Sequence, residues 1–527
     1  MGVFFMGIDI GTNESKGVLI DERCRIVAKA VTSHETENPK PNYYEHDAEK
    51  IWWADFCILS RKLIEESKTD PAEIMAVGCS ALSADVVPVD ENCVPLRKAI
   101  LYGIDARASR EIEQIKEYYG PERMKEIFGD HELCSSDCMP KILWIKNNEP
   151  EIFEKTYKFL TASSYLTAKL TGEYVIDRYL AVSSFAPCYR SDLSIDRELT
   201  EELYCRADQL ADGRETSDVV GKVTEKAAGE TGLKAGTLVV TGTDDSGAEA
   251  ISTGVLKPGD LMIQLGSTCY IMYCSDRMVN DERIWSEDFL IPGTFCQDGG
   301  TNTAGALTKW IRDTAFTDLK EKQDAGGENA FSAMAALADD VPPGSEGLVV
   351  LPYFAGERTP VNDPDARGVY FGLLQSHTRK HLYRAALEGV AYSIAHHIEI
   401  LEEHGLKINN FMCVGGGAQN HPWLQIIADV CGYTVKTAEI TIGSSYGDAM
   451  IAAIGAGRFE GYADLADYIK SGMEFQPSQE NHRLYQKYFS IYKRLYKAAA
   501  PLMHEIAHID GQEEEQKLWA GGSFFLT

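Results

Sequence analysis

The sequence of 527 residues predicts an α/β protein made of two related halves, and two observations carry this prediction. Short apolar stretches rich in β-branched residues alternate with longer stretches whose apolar residues recur at helical spacing, which is typical of sheets covered by helices. In addition, a strand, a turn of Gly with Ser or Thr, and a second strand follow one another at residues 3–20 and again at residues 261–273. The repetition favours two halves of the same architecture.

The first half is predicted to begin with three short strands that are joined by tight turns. A helix follows, in which Ile51, Trp52 and Phe56 have helical spacing and Asp47 is a suitable N-cap. Further strands and helices alternate after it. The predicted strands lie at 3–10, 17–20, 25–31, 74–79 and 86–89, and the predicted helices at 47–68, 106–128 and 141–148.

The second half repeats this alternation after a turn at residues 254–259. We therefore predict an N-terminal domain of residues 1–253 and a C-terminal domain of residues 254–527. The polar segment 321–328 is predicted to be a loop, and residues 511–527 a helix end with a loose tail. The predicted strands of this half lie at 237–241, 261–265, 269–273 and 411–414, with a helix at 423–430.

The charge balance excludes two classes of partner. The chain has 51 Lys and Arg residues against 80 Asp and Glu residues, a net charge of −29. Such a chain lacks the basic surface that non-specific binding to nucleic acid or to an anionic membrane requires. A local phosphate site is still compatible with this charge, because it needs only backbone N–H groups and one or two cations.

The cysteines and the apolar runs indicate the compartment. Thirteen scattered cysteines, none in a Cys-x-x-Cys pair, predict reduced and mostly buried thiols. The first residues lack the basic segment of a secretion signal, and no apolar run reaches the roughly 18 residues of a membrane span. We therefore expect a cytoplasmic protein.

The first of the two repeated turns, Asp9 to Gly17, has the composition of a phosphate-binding loop. Gly11 lets a phosphate approach the backbone, Thr12 adds a hydroxyl donor, and Lys16 adds a positive charge. Asp9, at the end of the strand, is suited to hold a hydrated Mg²⁺. An ordinary hairpin turn is the alternative interpretation.

The matching turn of the second half consists of Gly266, Ser267 and Thr268. Its equivalent position after a strand strengthens the phosphate interpretation of the first turn. Two such turns that face each other across a cleft would bind a polyphosphate.

Two further turns carry candidate chemistry. Gly416 and Gly417 lie between a predicted strand and a predicted helix, which suits close approach of adenine or ribose, with a crowded helix–sheet contact as the alternative. Asp244 and Asp245 lie in a Gly-flanked turn, where two carboxylates suggest a general base or a metal ligand. An N-cap aspartate is the alternative there, above all for Asp244.

Three longer motifs resemble family signatures. They are Pro140-Lys141-Ile-Leu-Trp144-Ile145, Leu170-Thr171-Gly172-Glu173, and Gly368-Val-Tyr-Phe-Gly372-Leu373 with Glu388 after it. Together they resemble the FGGY family of carbohydrate kinases, and the likeness extends over about residues 3–460. The resemblance implies two ribonuclease-H-like domains, of the actin, sugar-kinase and Hsp70 ATPase type, that flank a cleft.

The resemblance also implies ATP and Mg²⁺ as cofactors and gives roles to individual residues. Asp245 corresponds to the catalytic base. The implied phosphate and nucleotide contacts are Gly11, Thr12, Asn13 and Lys16 in the first turn, Gly266, Ser267 and Thr268 in the second, Gly305 and Lys309 in the stretch 303–310, and Gly416, Gly417 and Asn420 in the adenosine loop.

One segment departs from the family pattern. Ser83, Ala84 and Asp85 stand where typical xylulokinases have the Met-His-Gly that binds the sugar. An imidazole is missing and a carboxylate is present, so we hypothesise a polyol or a sugar of different stereochemistry, with Asp85 and Asp105 accepting its hydroxyls. The alternatives are a helix-capping salt bridge for Asp105 and a solvent-facing side chain for Asp85.

The sequence is therefore interpreted as that of an ATP-dependent, xylulokinase-like enzyme that phosphorylates a primary hydroxyl of a small sugar or polyol. An actin-like ATPase acting as a chaperone or filament protein is the competing interpretation, and the family signatures together with Asp245 argue against it. No nucleic acid or membrane is expected as a partner, and a homodimer is among the assemblies that the sequence allows.

Overall fold

The computed structural model describes residues 2–129 and 132–520, with side chains up to residue 509, and contains two large mixed sheets. The first sheet has the strand order β5-β6-β4-β1-β2-β3, and a short strand β7 continues beside β4. Its strands are β1 Phe4–Ile10, β2 Glu14–Asp21, β3 Ile26–Ser33, β4 Ile74–Ala81, β5 Val219–Lys222, β6 Leu238–Val240 and β7 Thr243–Asp244.

The second sheet has the strand order β10-β11-β9-β8-β12-β13-β14. Its strands are β8 Asp260–Leu265, β9 Cys269–Ser275, β10 Trp285–Asp288, β11 Phe295–Thr301, β12 Asn410–Val414, β13 Val435–Ala438 and β14 Ser471–Phe475.

The two sheets share one core topology. In the first, β3, β2 and β1 are antiparallel neighbours, and β4 and β6 continue parallel to β1. In the second, β11, β9 and β8 are antiparallel in the same way, and β12 and β13 continue parallel to β8. This duplication is the ribonuclease-H-like arrangement, and it confirms the predicted fold class.

Helices cover both sheets, in agreement with the predicted layered architecture. Those numbered here are α1 Ala54–Ser67, α2 Ser109–Phe128, α3 Cys138–Asn148, α4 Ala162–Thr171, α5 Asp245–Thr253, α6 Gly305–Ala315, α7 Arg379–Glu403, α8 His421–Cys431, α9 Ser444–Gly455 and α10 Gln479–Ala520. Further helices lie at Pro150–Lys155, Arg178–Val182, Arg197–Leu199, Glu225–Thr231, Thr317–Asp324 and Ala330–Asp339.

Small accessory strands extend the layers. Glu37–Lys40, Tyr43–His46 and Ala99–Ile100 form a three-stranded sheet. The two-stranded sheets pair Val87–Val89 with Lys158–Leu160, Val175–Asp177 with Asp212–Arg214, and Val349–Leu351 with Val369–Phe371.

Most predicted elements are present, with two local differences. Asp47 caps the first predicted helix by accepting the backbone N–H of Lys50, although the first turn, Ala48–Trp53, is π-helical. The predicted loop 321–328 is wrong in its first half, because Thr317–Asp324 is a solvated helix without a buried face. The predicted helix end at 511 continues to Ala520, and the predicted tail beyond it lies outside the described residues.

The cysteines agree with the predicted reduced state. All thirteen are free thiols, and eleven of them are buried, whereas Cys57 is half-buried and Cys134 is exposed. Among the helices that the structure describes, none is long and apolar enough to cross a membrane.

Helix α9 joins the two halves. It lies in the second half of the sequence, yet it packs on β1 and β4 of the first sheet and on α5. Glycines make this close approach feasible, because a Cβ at Gly7 would overlap the Ser445 carbonyl oxygen and a Cβ at Gly447 would overlap that of Ala248. The division at residues 253 and 254 stays a prediction, and α9 is the element that crosses it.

We expect Gly447→Ala to destabilise the protein, because its Cβ would meet backbone atoms of α5 that cannot rotate away. Overpacking of this kind typically costs about 1–3 kcal/mol. Gly461→Ala is the matched control, because a Cβ there meets open space and the backbone is extended. Thermal unfolding of both variants measures the effect, and equal melting temperatures would contradict it.

Candidate nucleotide and catalytic site

The first predicted phosphate turn lies between β1 and β2 and presents its tip to solvent. The turn is closed by the Gly11 N–H, which donates to the carbonyl of Glu14 over 3.2 Å. Asn13 is exposed, the Thr12 hydroxyl lies 3.1 Å from that of Tyr102, and the Lys16 ammonium lies 3.5 Å from Glu14. The ammonium remains accessible to an anionic ligand in this arrangement.

The second turn, Gly266 to Thr268, is exposed between β8 and β9 and contacts the start of α6. The carbonyl of Gly266 accepts the N–H of Gly305, and the carbonyl of Ser267 accepts the N–H of Ala304. A Cβ at Gly305 would overlap the Gly266 carbonyl oxygen. The structure therefore brings Gly305 and the second turn together, with Lys309 exposed on the next turn of α6.

The predicted adenosine loop follows β12 and packs against the end of β8. A Cβ at Gly417 would lie 2.6 Å from the Cβ of Leu265, whereas a Cβ at Gly416 would meet nothing within 4 Å. Gly417 therefore makes the crowded contact with the sheet that was the alternative interpretation of this loop, whereas Gly416 faces open space. Asn420 caps α8 through the N–H of Trp423 and donates to the Tyr383 hydroxyl over 3.1 Å.

The two neighbouring aspartates have different environments. Asp244 is the N-cap of α5: its carboxylate accepts the Gly247 N–H at 2.7 Å and the hydroxyls of Ser246 and Ser83 at 2.8 and 3.1 Å. Burial, together with the negative charge of Asp244, raises the pKa of Asp245 well above its ordinary value. With Asp244 occupied as the cap, Asp245 is the carboxylate suited to accept a proton.

Asp9 lies at the end of β1 and belongs to the same group of carboxylates. Burial raises its pKa from 3.8 to about 7, and the charges of Glu249 and Asp244 act in the same direction. Glu249, on α5, accepts the side-chain N–H of Gln264 at 2.6 Å, two residues before the second turn. Asp9, Asp245 and Glu249 therefore connect the neighbourhoods of the two turns.

The sequence reasoning missed Asp448, which α9 brings to the end of β4. Its carboxylate accepts the Ser80 hydroxyl at 2.7 Å, and the same hydroxyl lies 3.2 Å from Asp9. Asp448 is fully buried, and burial raises its pKa well above the ordinary value. The sequence offered one signal for this residue, a single acid in the apolar stretch 444–455. Charged residues are almost never fully buried unless they are paired, so such an acid is a candidate site residue.

The residues fit one Mg²⁺ at Asp9. Among the described residues, no group of three or more His, Cys, Asp or Glu side chains forms a metal cage. Mg²⁺ bound with a nucleotide does not need such a cage, because phosphates and waters supply most of its ligands beside one or two carboxylates. The neighbouring negative charges that raise the Asp9 pKa would also favour a cation there.

The predicted substrate segment differs from expectation at Asp85. The side chain is fully buried and does not point into solvent; one oxygen accepts the Ala162 N–H at the start of α4 over 2.9 Å. The other oxygen has no hydrogen-bond partner among the described residues. The carbonyl of the buried Ala84 accepts from Lys141 at 2.9 Å, which leaves Ser83, bonded to Asp244, as the member nearest the candidate base.

Asp105 is engaged in a buried ion pair. Its carboxylate binds the Arg107 guanidinium at 2.7–3.0 Å and accepts the Tyr44 N–H at 2.6 Å. The predicted salt bridge is present, but it does not cap a helix, because α2 begins only at Ser109 with Ala108 as its N-cap. These contacts favour a structural role over hydroxyl binding for Asp105.

Comparison with known proteins identifies both halves. Models of the N-terminal and C-terminal domains of the FGGY family of carbohydrate kinases match residues 4–252 and 261–456. A xylulose kinase of Staphylococcus epidermidis is 28% identical over 509 residues, covering 96% of this chain and 98% of that relative. A gluconokinase of Bacillus licheniformis is 26% identical over 512 residues, with 96% and 98% covered. The solved xylulose kinase from Rhodospirillum rubrum, 28% identical, matches with a TM-score of 0.85 over 95% of this chain and all of that one.

We expect Asp85→Asn to change the pH dependence of stability. Burial raises the pKa of Asp85 from 3.8 to about 8, so the folded chain holds a proton that the unfolded chain releases. The free energy of unfolding that this group contributes is therefore greatest below about pH 4 and falls as the pH rises towards 8. The neutral amide removes this loss, so the melting temperature of the variant relative to wild type should rise between about pH 5 and pH 8.

The exposed Asp208 provides the control, and Asp208→Asn should show no such trend. A difference between Asp85→Asn and wild type that stays constant across this range would contradict the buried, protonated state of Asp85.

Proposed function

Because the chain belongs to the FGGY family of carbohydrate kinases, we propose that it transfers the γ-phosphoryl group of ATP to a primary hydroxyl of a small sugar or polyol, with Asp245 as general base. The arrangement at the N-terminus of α5 carries this proposal. Asp244 is used as the helix cap, and Asp245 lies close enough to Asp9 and Glu249 for their charges to raise its pKa.

The proposed reaction is a direct displacement at phosphorus. The acceptor hydroxyl oxygen forms a bond to the γ-phosphorus, the bond to the β,γ-bridging oxygen breaks, and ADP leaves. Asp245, in its deprotonated form, accepts the hydroxyl proton as the general base. The remaining contribution of the protein is positioning and neutralisation of charge.

The charges for that task come from both turns. Lys16 supplies an accessible ammonium at the first turn. Mg²⁺ held by Asp9 would neutralise phosphate oxygens, which is the chemistry that this ion supplies in phosphoryl transfer. Gly266, Ser267 and Gly305 form the second turn and its support, and Gly416 offers open space beside them for the nucleoside.

The acceptor is a small sugar, sugar acid or polyol. The curated relatives are named xylulose kinases and gluconokinases, so these two acceptors stand first. The polyol hypothesis depended on accessible carboxylates at Asp85 and Asp105, but Asp105 is paired with Arg107, and Asp85 is fully buried with one oxygen bonded to the Ala162 N–H. A screen of ADP release over xylulose, gluconate, other ketoses, pentitols and glycerol tests the proposal, and no release with any of them would refute it.

The actin-like chaperone or filament is not favoured, because carbohydrate kinase models match both halves. A cytoplasmic location is supported by the thirteen free thiols. The homodimer stays a prediction.

We expect Asp245→Asn to lose about 10²–10⁴-fold in kcat, the usual effect of removing a general base. Nucleotide affinity should stay near that of wild type, because the amide keeps the shape of the side chain. Asp244→Asn is the comparison variant: asparagine caps helices as well as aspartate does and the base stays in place, so turnover should fall far less than in Asp245→Asn even though one charge that raises the pKa of Asp245 is removed. Steady-state ADP release and nucleotide titration measure both quantities, and full turnover by Asp245→Asn would exclude it as the base.

Gly416 and Gly417 should respond differently to substitution by Val. Gly416→Val places a side chain in the open space and should raise the Kd for ATP with little change in melting temperature. Gly417→Val overlaps Leu265 and should lower the melting temperature through overpacking. Calorimetric titration and thermal unfolding separate the two effects, and the reverse pattern would place the nucleoside against Gly417.

A further inference from the structure

The carbonyl groups of the first phosphate turn are held by side chains that follow β3. His34 lies directly after this strand, and its ring contacts two acceptors. The Nδ1 atom lies 2.8 Å from Asp55 Oδ2, and the Nε2 atom lies 3.1 Å from the carbonyl oxygen of Gly11. Both side chains of the pair are only 7% exposed.

The two partners of the His34 ring belong to different segments of the chain. One is the side chain of Asp55 on α1, and the other is the backbone carbonyl of Gly11 in the turn. The ring therefore links the turn to α1. The same Asp55 oxygen accepts the Ser15 hydroxyl at 2.7 Å. Asp55 therefore holds the turn at both ends, directly at Ser15 and through His34 at Gly11.

A second contact acts on the next carbonyl. The Thr36 hydroxyl donates to the Thr12 carbonyl over 2.6 Å and lies 3.0 Å from His46 Nε2. Burial lowers the pKa of His46 to about 4, and the indole N–H of Trp52 donates to its Nδ1 at 3.0 Å. Neutral His46 therefore carries its proton on Nε2 and donates to Thr36, which leaves the Thr36 hydroxyl hydrogen for Thr12.

These contacts decide which way the turn presents its N–H groups. In a trans peptide the carbonyl and the following N–H point in opposite directions. When the carbonyls of Gly11 and Thr12 are bound on the protein side, the N–H groups of Thr12 and Asn13 face away from it. That is the orientation in which a turn can bind phosphate oxygens.

We propose that His34, held by Asp55, and Thr36 are positioning residues that hold the first turn in its phosphate-binding form. The inference rests on the proposed function, because it assigns the turn to ATP. His34 acts through the turn and does not touch the phosphates, so its effect belongs to nucleotide binding. The acceptor sugar should be bound as before.

The test is titration with the non-hydrolysable analogue β,γ-imido-ATP and Mg²⁺, together with KM values for ATP and for the acceptor found in the screen. His34→Gln lacks the rigid ring that spans Asp55 and the Gly11 carbonyl, and it should raise the Kd for the analogue about tenfold or more, the usual effect of losing a hydrogen bond to a charged group. The KM for ATP should rise while the KM for the acceptor stays unchanged. A general loss of structure would instead change both.

Two further variants make the result independent of folding defects in His34→Gln. Thr36→Val removes the hydroxyl that donates to the Thr12 carbonyl while it keeps the shape of the side chain, so it should weaken binding of the analogue. Thr36→Ser keeps the hydroxyl and should bind the analogue with wild-type affinity. His404→Gln is the matched control, because His404 pairs with Asp281 at 2.8 Å in the second half, outside both turns.

The possible results distinguish failure of the proposed function from failure of the positioning role alone. Wild-type protein that binds no analogue would refute the proposed function. Wild-type protein that binds it, with unchanged affinity in His34→Gln and Thr36→Val, would overturn the positioning role alone.

Discussion

The close contact between α9, α5 and the first sheet is the constraint on which the site depends. Gly7 and Gly447 let backbones touch where any side chain would separate them. This contact places Asp448 of α9 beside Asp9 through Ser80, and it holds α5, with Asp245 at its first turn, against α9. Carboxylates from three distant segments of the chain therefore belong to one group, in which the charge of Asp9 acts on Asp245.

The meeting of so many acids determines the electrostatics of the site. Burial is the main cause of the raised pKa values of Asp9, Asp245 and Glu249. The charges of Asp244 and Glu249 raise the pKa values of Asp9 and Asp245 further, whereas the charge of Lys16 lowers the pKa values of Asp9 and Glu249. Such a group is poorly suited to bind a bare polyphosphate. It is well suited to a polyphosphate that arrives with a divalent cation, and to a base that takes up one proton during the reaction.

Local patterns in the sequence predicted the duplicated strand–turn–strand units and the cap at Asp47, and they offered the cap at Asp244 and a salt bridge of Asp105 as alternatives, because these depend on residues that are close in the chain. The sequence did not predict that the backbone N–H groups of Ala162 and Tyr44 bind Asp85 and Asp105, because they come from distant segments. The helix at 317–324 was missed for the opposite reason, since a solvated helix has no apolar periodicity to read.

Residues 83–85, which differ from the pattern of typical xylulokinases, affect the substrate pocket indirectly. Asp85 binds the start of α4, and Lys141 binds the carbonyl of Ala84, so both residues fix the course of the segment. Ser83, held between them and Asp244, is the one hydroxyl of this segment beside the cap of α5. Any difference in acceptor preference from enzymes with a histidine here would then arise from the lost imidazole and from Ser83. An added carboxylate would not explain it, because the carboxylate of Asp85 faces the protein interior.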